Sequence, residues 1–324
     1  VAQVSVVIST YNRRRLLSAA LDSALGQRDV DHEVIVVDNG SEDDTRAFLR
    51  EHDHPRLRVI RNETSLGSVG GRNTGLAAAT GRWVSFLDDD DLWAPDKLGA
   101  QIAAVEATGR HWAYTGCVHI DGADQIIGGR PALPPAQLMA ELPYRFVLPG
   151  GMSNVLWERG RLGGDELLDP RLPFPADWDV ALRLSRSGPP ALVPRPLVAY
   201  RQHGSNMSRN RANLHAELRI FEEKRADLAD GRPIDWGAQY RFEAGEELRA
   251  GARLPAARAY ARAIRAGDLP SLARCGAVVL PRRAQRWFRD RLLSDADWVA
   301  DAERWLRASN GDTAGPGPGR DAAQ

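Results

Sequence analysis

The chain has 324 residues, with 43 basic and 43 acidic side chains and only two cysteines, Cys117 and Cys275. That length allows one large α/β domain plus an appendage, and the balanced charge lacks the basic excess of a nucleic-acid binder, so nucleic acid is not an expected partner. Two distant cysteines exclude a zinc ribbon or a disulfide framework and fit a reducing compartment.

The N-terminal residues run straight into a β-branched segment with no basic n-region or long apolar h-region, so no signal peptide is expected. No apolar stretch is long enough to span a bilayer, and the expected location is cytoplasmic. Residues 4–9 read as a strand buried on both faces. Residues 13–25 then place Leu16, Leu17, Ala20, Leu21, Ala24 and Leu25 on one helical stripe. Strands at 33–37, 57–60 and 83–87 alternate with helices at 45–51, 70–79 and 96–107. This is the rhythm of βαβ units, and it implies a mostly parallel, doubly wound sheet with helices on both faces. From 114 to 175 the pattern is irregular and rich in Gly and Pro; a helix at 177–186 and a strand at 192–200 follow. Beyond 210, Leu214, Leu218 and Phe221 recur at helical spacing, and 240–266 predicts two helices around Gly251. The expected organisation is a catalytic domain over 1–208, a helical region over 209–308 and a disordered tail over 309–324.

Ligands of such sheets bind beyond the carboxyl ends of the strands. The residues there are Thr10-Tyr11-Asn12, Asp38-Asn39-Gly40-Ser41, Arg61-Asn62 and Asp88-Asp89-Asp90-Asp91. Four adjacent carboxylates after a buried strand repel one another unless a cation neutralises them. Mg²⁺ or Mn²⁺ takes such oxygen ligands and bridges to phosphates; the alternative is an acidic turn capping the helix near Pro95. Asp38 suits a nucleobase N–H or an Asx-turn, and Tyr11 suits base stacking or a plain turn. Gly70-Gly71-Arg72-Asn73 opens a helix, a place suited to phosphate. Gly67, Gly70 and Gly71 do not make the dinucleotide fingerprint, which disfavours NAD.

Six segments in order resemble the family 2 glycosyltransferases of the GT-A fold: 6–12, 34–41, 70–76, 86–91, 177–179 and 200–205. The resemblance covers about residues 3–208 and implies an inverting, metal-dependent transferase using a nucleotide-sugar donor, UDP being the family's commonest nucleotide. Position by position, it implies a donor-binding set of Thr10, Tyr11, Asn12, Asp38, Arg72, Asn73, Asp88 and Asp89. Asp38 would bond the base, Arg72 and Asn73 would lie near the diphosphate or ribose, and Asp88 would face the ribose or sugar. Asp90 would bind Mn²⁺ or Mg²⁺, His203 would approach the metal or diphosphate, and Asp177 would be the catalytic base. The Glu usual before that base is Ala176 here, which leaves Asp179 as a second candidate, otherwise a solvent-facing helix residue.

A nucleotidyltransferase would carry a Gly-rich basic loop after the first strand, and an Asp-x-Asp phosphatase would carry its pair there; this chain does neither. The remaining alternative is a catalytically inactive binding module. The implied acceptor is a glycan, a lipid-linked glycan or a small molecule. Within 274–293, Arg274, Arg282, Arg283, Arg286, Arg289 and Arg291 alternate with apolar residues including Trp287 and Phe288. Such a helix packs on the domain, or it lies peripherally on the inner face of an anionic membrane.

Overall fold

The computed structural model describes residues 2–162, 167–204, 213–249, 251–278 and 297–309. The expected tail from 310 onward and most of the basic 274–293 segment lie outside the described residues.

The first half is the expected alternation: β1 (Val4–Thr10), α1 (Arg14–Leu25), β2 (His32–Asp38), α2 (Thr45–Glu51), β3 (Leu57–Arg61), α3 (Gly67–Ala78), β4 (Trp83–Phe86). A short β5 (Leu92–Trp93) precedes α4 (Lys97–Thr108), which ends on Gly109 in the left-handed conformation that closes helices. Then come β6 (Trp112–Ile120), β7 (Ile126–Arg130), α5 (Pro135–Glu141), a 3-10 turn (Gly151–Asn154), β8 (Leu156–Glu158), α6 (Ala176–Ser185) and β9 (Ala191–Arg201). The C-terminal helices are α7 (Leu214–Lys224), α8 (Trp236–Arg249), α9 (Arg253–Arg265), α10 (Pro270–Ala277) and α11 (Asp297–Ser309).

Among the described residues the strands form one nine-stranded sheet, ordered β3-β2-β1-β4-β8-β6-β9-β5, with β7 beside β6. The longest ladders, β1 on β2 and β6 on β9, are parallel; β8 joins the two halves by antiparallel pairing with β4 and β6. Side-chain alternation explains the two layers. Val7, Ile35 and Val37 face one core with Leu76 of α3 and Trp178 of α6. Val4, Val6, Ile8, Val34 and Val36 face the other, with Leu17 and Leu21 of α1 and Ile102 of α4. These strands have apolar residues on both faces because both faces are covered. α3 lies close to the sheet: a Cβ on Gly75 would stand 2.3 Å from Val7 Cγ1.

The C-terminal helices pack back on this frame. Leu214, Leu218 and Phe221 of α7 enter the same core as Trp178, with the Trp178 and Phe221 rings 4.4 Å apart. Ala302, Trp305 and Leu306 of α11 pack on β6 and β9, and the Trp305 indole donates to Pro196 O at 3.0 Å. α8 and α9 flank Gly251 as expected.

Candidate active site

The carboxyl ends of β1, β2 and β4 open on a cleft of about 1460 Å³. After β4, the chain turns tightly, with the Asp91 N–H donating to Asp88 O at 3.1 Å. The turn gathers carboxylate oxygens of Asp88, Asp90 and Asp91 to within 4.8 Å of one another. The chain surrounds them with donors. Arg13 Nη1 lies 3.0 Å from both Asp89 Oδ1 and Asp90 Oδ2. Arg72 pairs with Asp88, and His203 Nε2 is 2.9 Å from Asp90 Oδ2. Ser153 Oγ donates to Asp91 at 2.6 Å, the Arg201 N–H donates to its other oxygen at 3.0 Å, and Arg201 Nε donates to Asp90 O at 2.9 Å. Burial first, then the neighbouring Asp90 charge, raises Asp89 to about 7 against the pull of Arg13. Burial and the same neighbour push Asp91 well above the usual range. An all-carboxylate set with one imidazole beside it has the chemistry that suits Mg²⁺ or Mn²⁺.

Across Arg72 stands Asp177, in the first turn of α6. Arg72 is buried, with Nη2 on Asp88 and Nη1 3.7 Å from Asp177 Oδ1. Burial would lower the arginine, but Asp88 and Asp177 raise it and hold it charged. Its buried Nη1 makes no hydrogen bond. Asp177 Oδ2 accepts the Met152 N–H at 3.2 Å, and Gly151 lies so close that a Cβ there would meet this oxygen at 2.4 Å. Burial lifts the Asp177 carboxyl to about 6, Arg72 pulling it down and Asp88 pushing it up.

Thr10, Tyr11, Arg72, Asp88, Asp89, Asp90 and Asp177 all line the cleft, with His203 against Asp90. Four expected residues stand otherwise. Asp179 is two positions from Asp177 on one helix, and side chains at that spacing do not share a face. It is 1% exposed and pairs with Lys224 at 2.7 Å and Arg183 at 3.7 Å, so it is neither on the cleft nor solvent-facing. Asn12 Oδ1 accepts the Glu42 and Asp43 N–H groups at 2.7 and 3.3 Å, and Asn73 exchanges two hydrogen bonds with the Leu168 backbone. Asp38 lies buried at the end of β2, accepting the Ser41 N–H at 2.9 Å and pairing with Arg61.

Arg13 and Ser153 join the site without having been singled out for it, while Asp91 had been named only as one of the four clustered carboxylates, with no role of its own. The signal for Arg13 was a base directly after the strand-end Thr10-Tyr11-Asn12; Ser153 carried none, being 62 positions from its partner Asp91. The sequence also did not foresee that α8 forms part of the cleft wall through Ala238, Gln239 and Phe242, together with Arg145 and Phe146.

The model of glycosyl transferase family 2 matches residues 5–146. An uncharacterized glycosyltransferase, alr2836 of Nostoc sp., is 31% identical over 229 residues, which cover 66% of this chain and 69% of that protein. The chain belongs to glycosyl transferase family 2. This family 2 protein is also 35% identical over 125 residues to the UDP-Glc:alpha-D-GlcNAc-diphosphoundecaprenol beta-1,3-glucosyltransferase WfgD of Escherichia coli. That match covers 39% of this chain and about half, 49%, of WfgD. Its fold is that of S. aureus TarS 1-349, with a TM-score of 0.56, 16% identity, and coverage of 95% of this chain and 90% of that one.

Proposed function

We propose that the protein moves a sugar from a UDP-sugar to an acceptor hydroxyl in a single inverting displacement, with Asp177 as the base. The observation that carries this is the Asp88–Arg72–Asp177 chain: one carboxyl raised to about 6 stands across a buried arginine from the acidic turn, in one cleft. A base poised near neutral pH suits proton abstraction from a hydroxyl.

In this reading the acceptor O–H proton passes to Asp177 as the acceptor oxygen bonds to the anomeric carbon and the bond to the diphosphate breaks. The unbonded Arg72 Nη1 supports a role in receiving charge on the departing diphosphate. Asp90 and His203, with Asp88 beside them, would hold Mg²⁺ or Mn²⁺, a Lewis acid for that leaving group. Thr10 and the half-exposed Tyr11 would border the base. UDP is supported by WfgD's donor and by TarS, solved with UDP-GlcNAc. The Mn²⁺ of the mannosyltransferase PcManGT of Pyrobaculum calidifontis, a neighbour in fold, supports the metal.

The acceptor would enter along the α8 wall. WfgD acts on a lipid-linked sugar, which supports a lipid-linked or surface glycan and a cytoplasmic protein at the membrane face. Among the described residues no helix is long and apolar enough to cross a membrane. The test is a panel of UDP-, GDP- and TDP-sugars with Mn²⁺, read by thermal shift and donor hydrolysis. A UDP-sugar should stabilise the protein and be hydrolysed. Stabilisation by no UDP-sugar, or hydrolysis undiminished in Asp177→Asn, would defeat the reading; binding without any turnover would favour an inactive module.

A further inference from the structure

Arg13 sits at the handover from β1 to α1, immediately before the helix. Its Nη1 is 3.0 Å from Asp89 Oδ1 and from Asp90 Oδ2, and His203 Nε2 is 2.9 Å from that same Asp90 oxygen. A carboxylate oxygen offers about two lone-pair sites. Asp90 Oδ2 is therefore fully engaged, and a metal ion can bond to it only by displacing a donor.

The two arginines of the cluster differ in their freedom to leave. The Arg72 side chain is 9% exposed and wedged between Asp88 and Asp177, whereas the Arg13 side chain is 26% exposed and reaches Asp89 and Asp90 from the cleft. A divalent ion at bonding distance from Asp90 would also stand within a few ångströms of the Arg13 guanidinium. Like charges that close, beside carboxylates largely removed from water, repel strongly.

We propose that Arg13 is a resident counter-ion of Asp89 and Asp90 that the divalent cation displaces, so that Arg13 sets the affinity of the metal site. This rests on the metal reading above. Without metal, the guanidinium neutralises part of the crowded acidic turn; an ion bonding through Asp90 Oδ2 then competes with that ion pair.

The test titrates Mn²⁺ into the full chain without donor and follows free Mn²⁺ by its EPR signal. Arg13→Gln should bind Mn²⁺ at least about tenfold more tightly than the wild type. Arg13→Lys should fall between the two, because an ammonium is one point charge and cannot hold the two carboxylates as a planar guanidinium does. Adding Asp90→Ala to either variant should abolish the binding. Should Arg13→Gln fail to fold, the order of Arg13→Lys and wild type still decides. Variants that bind Mn²⁺ no more tightly than the wild type overturn the exchange and leave the metal site standing. If wild type and variants alike bind no Mn²⁺, with or without UDP, the metal reading itself falls, and the exchange with it.

Discussion

On the proposed reading, Asp177→Asn separates catalysis from stability, because the burial that would ready Asp177 as a base also opposes its charge. The carboxyl rises from an ordinary 3.8 to about 6. A folded value above the unfolded one means that the native state holds the proton more tightly. The stabilisation from protonated Asp177 is full below the unfolded value and is lost as pH rises through about 6. Roughly two pH units correspond to about 3 kcal/mol. The side chain is 28% exposed, so solvent screening reduces this to about 1–2 kcal/mol at neutral pH. Asparagine is neutral, nearly isosteric, and keeps an oxygen for the Met152 N–H. The variant should therefore melt a few degrees higher than the wild type at neutral pH, with the gap closing in acid. It should bind the donor normally while transfer falls by about 10²–10⁴. Wild-type activity should drop about tenfold per pH unit below about 6. Calorimetry across pH, paired with a UDP-release assay, checks both halves. An Asp177→Asn protein less stable than the wild type and still active would refute both the buried charge and the base.

Four further outcomes follow from the same structure. Chelation should abolish transfer and Mn²⁺ should restore it, whereas Asp90→Ala should lose Mn²⁺-dependent donor binding in a calorimetric titration. Burial drives the Lys97 ammonium, 3.6 Å over the Trp93 ring and donating to Ser85 Oγ, well below its usual range. A depressed folded value makes its contribution fall away as pH drops, so Lys97→Met should remove that dependence and melt no lower than the wild type at neutral pH. Gly75→Ala should cost about 1–3 kcal/mol in denaturant melts, since the new Cβ would stand 2.3 Å from Val7 Cγ1. If the basic segment meets membranes, the full chain should co-sediment with anionic vesicles at low salt, and joint replacement of Arg282, Arg283, Arg286 and Arg289 by Ala should release it.

The first half of the fold was legible because β1 and β2 are covered on both faces and so read as unbroken apolar runs, with helices between them. The helix at 177–186 and the strand at 192–200 were legible too, as α6 and β9, but β5 and β8 were not, because they span only two and three residues and exist by pairing with distant strands. α3 begins at Gly67, ahead of the expected Gly70, since its first turn is Gly-Ser-Val-Gly, a weak helix former held by Asn39 accepting the Leu66 N–H and donating to Gly67 O. The acidic turn stood out as carboxylates at a strand end, whereas Asp177 came only through the resemblance to the family 2 glycosyltransferases. Asn12 and Asn73 looked equally available, because nothing local shows that backbone groups 30 and 95 residues away occupy their amides. Helix geometry alone could have separated Asp177 from Asp179, since residues two apart cannot share the cleft.

The most direct test of the account is the anomeric configuration of the first product. With an α-linked UDP-sugar, Mn²⁺ and water as acceptor, proton NMR at early times reads the released sugar before it mutarotates. A single displacement with Asp177 as base predicts the β anomer first, with its large coupling constant. The α anomer appearing first would contradict it.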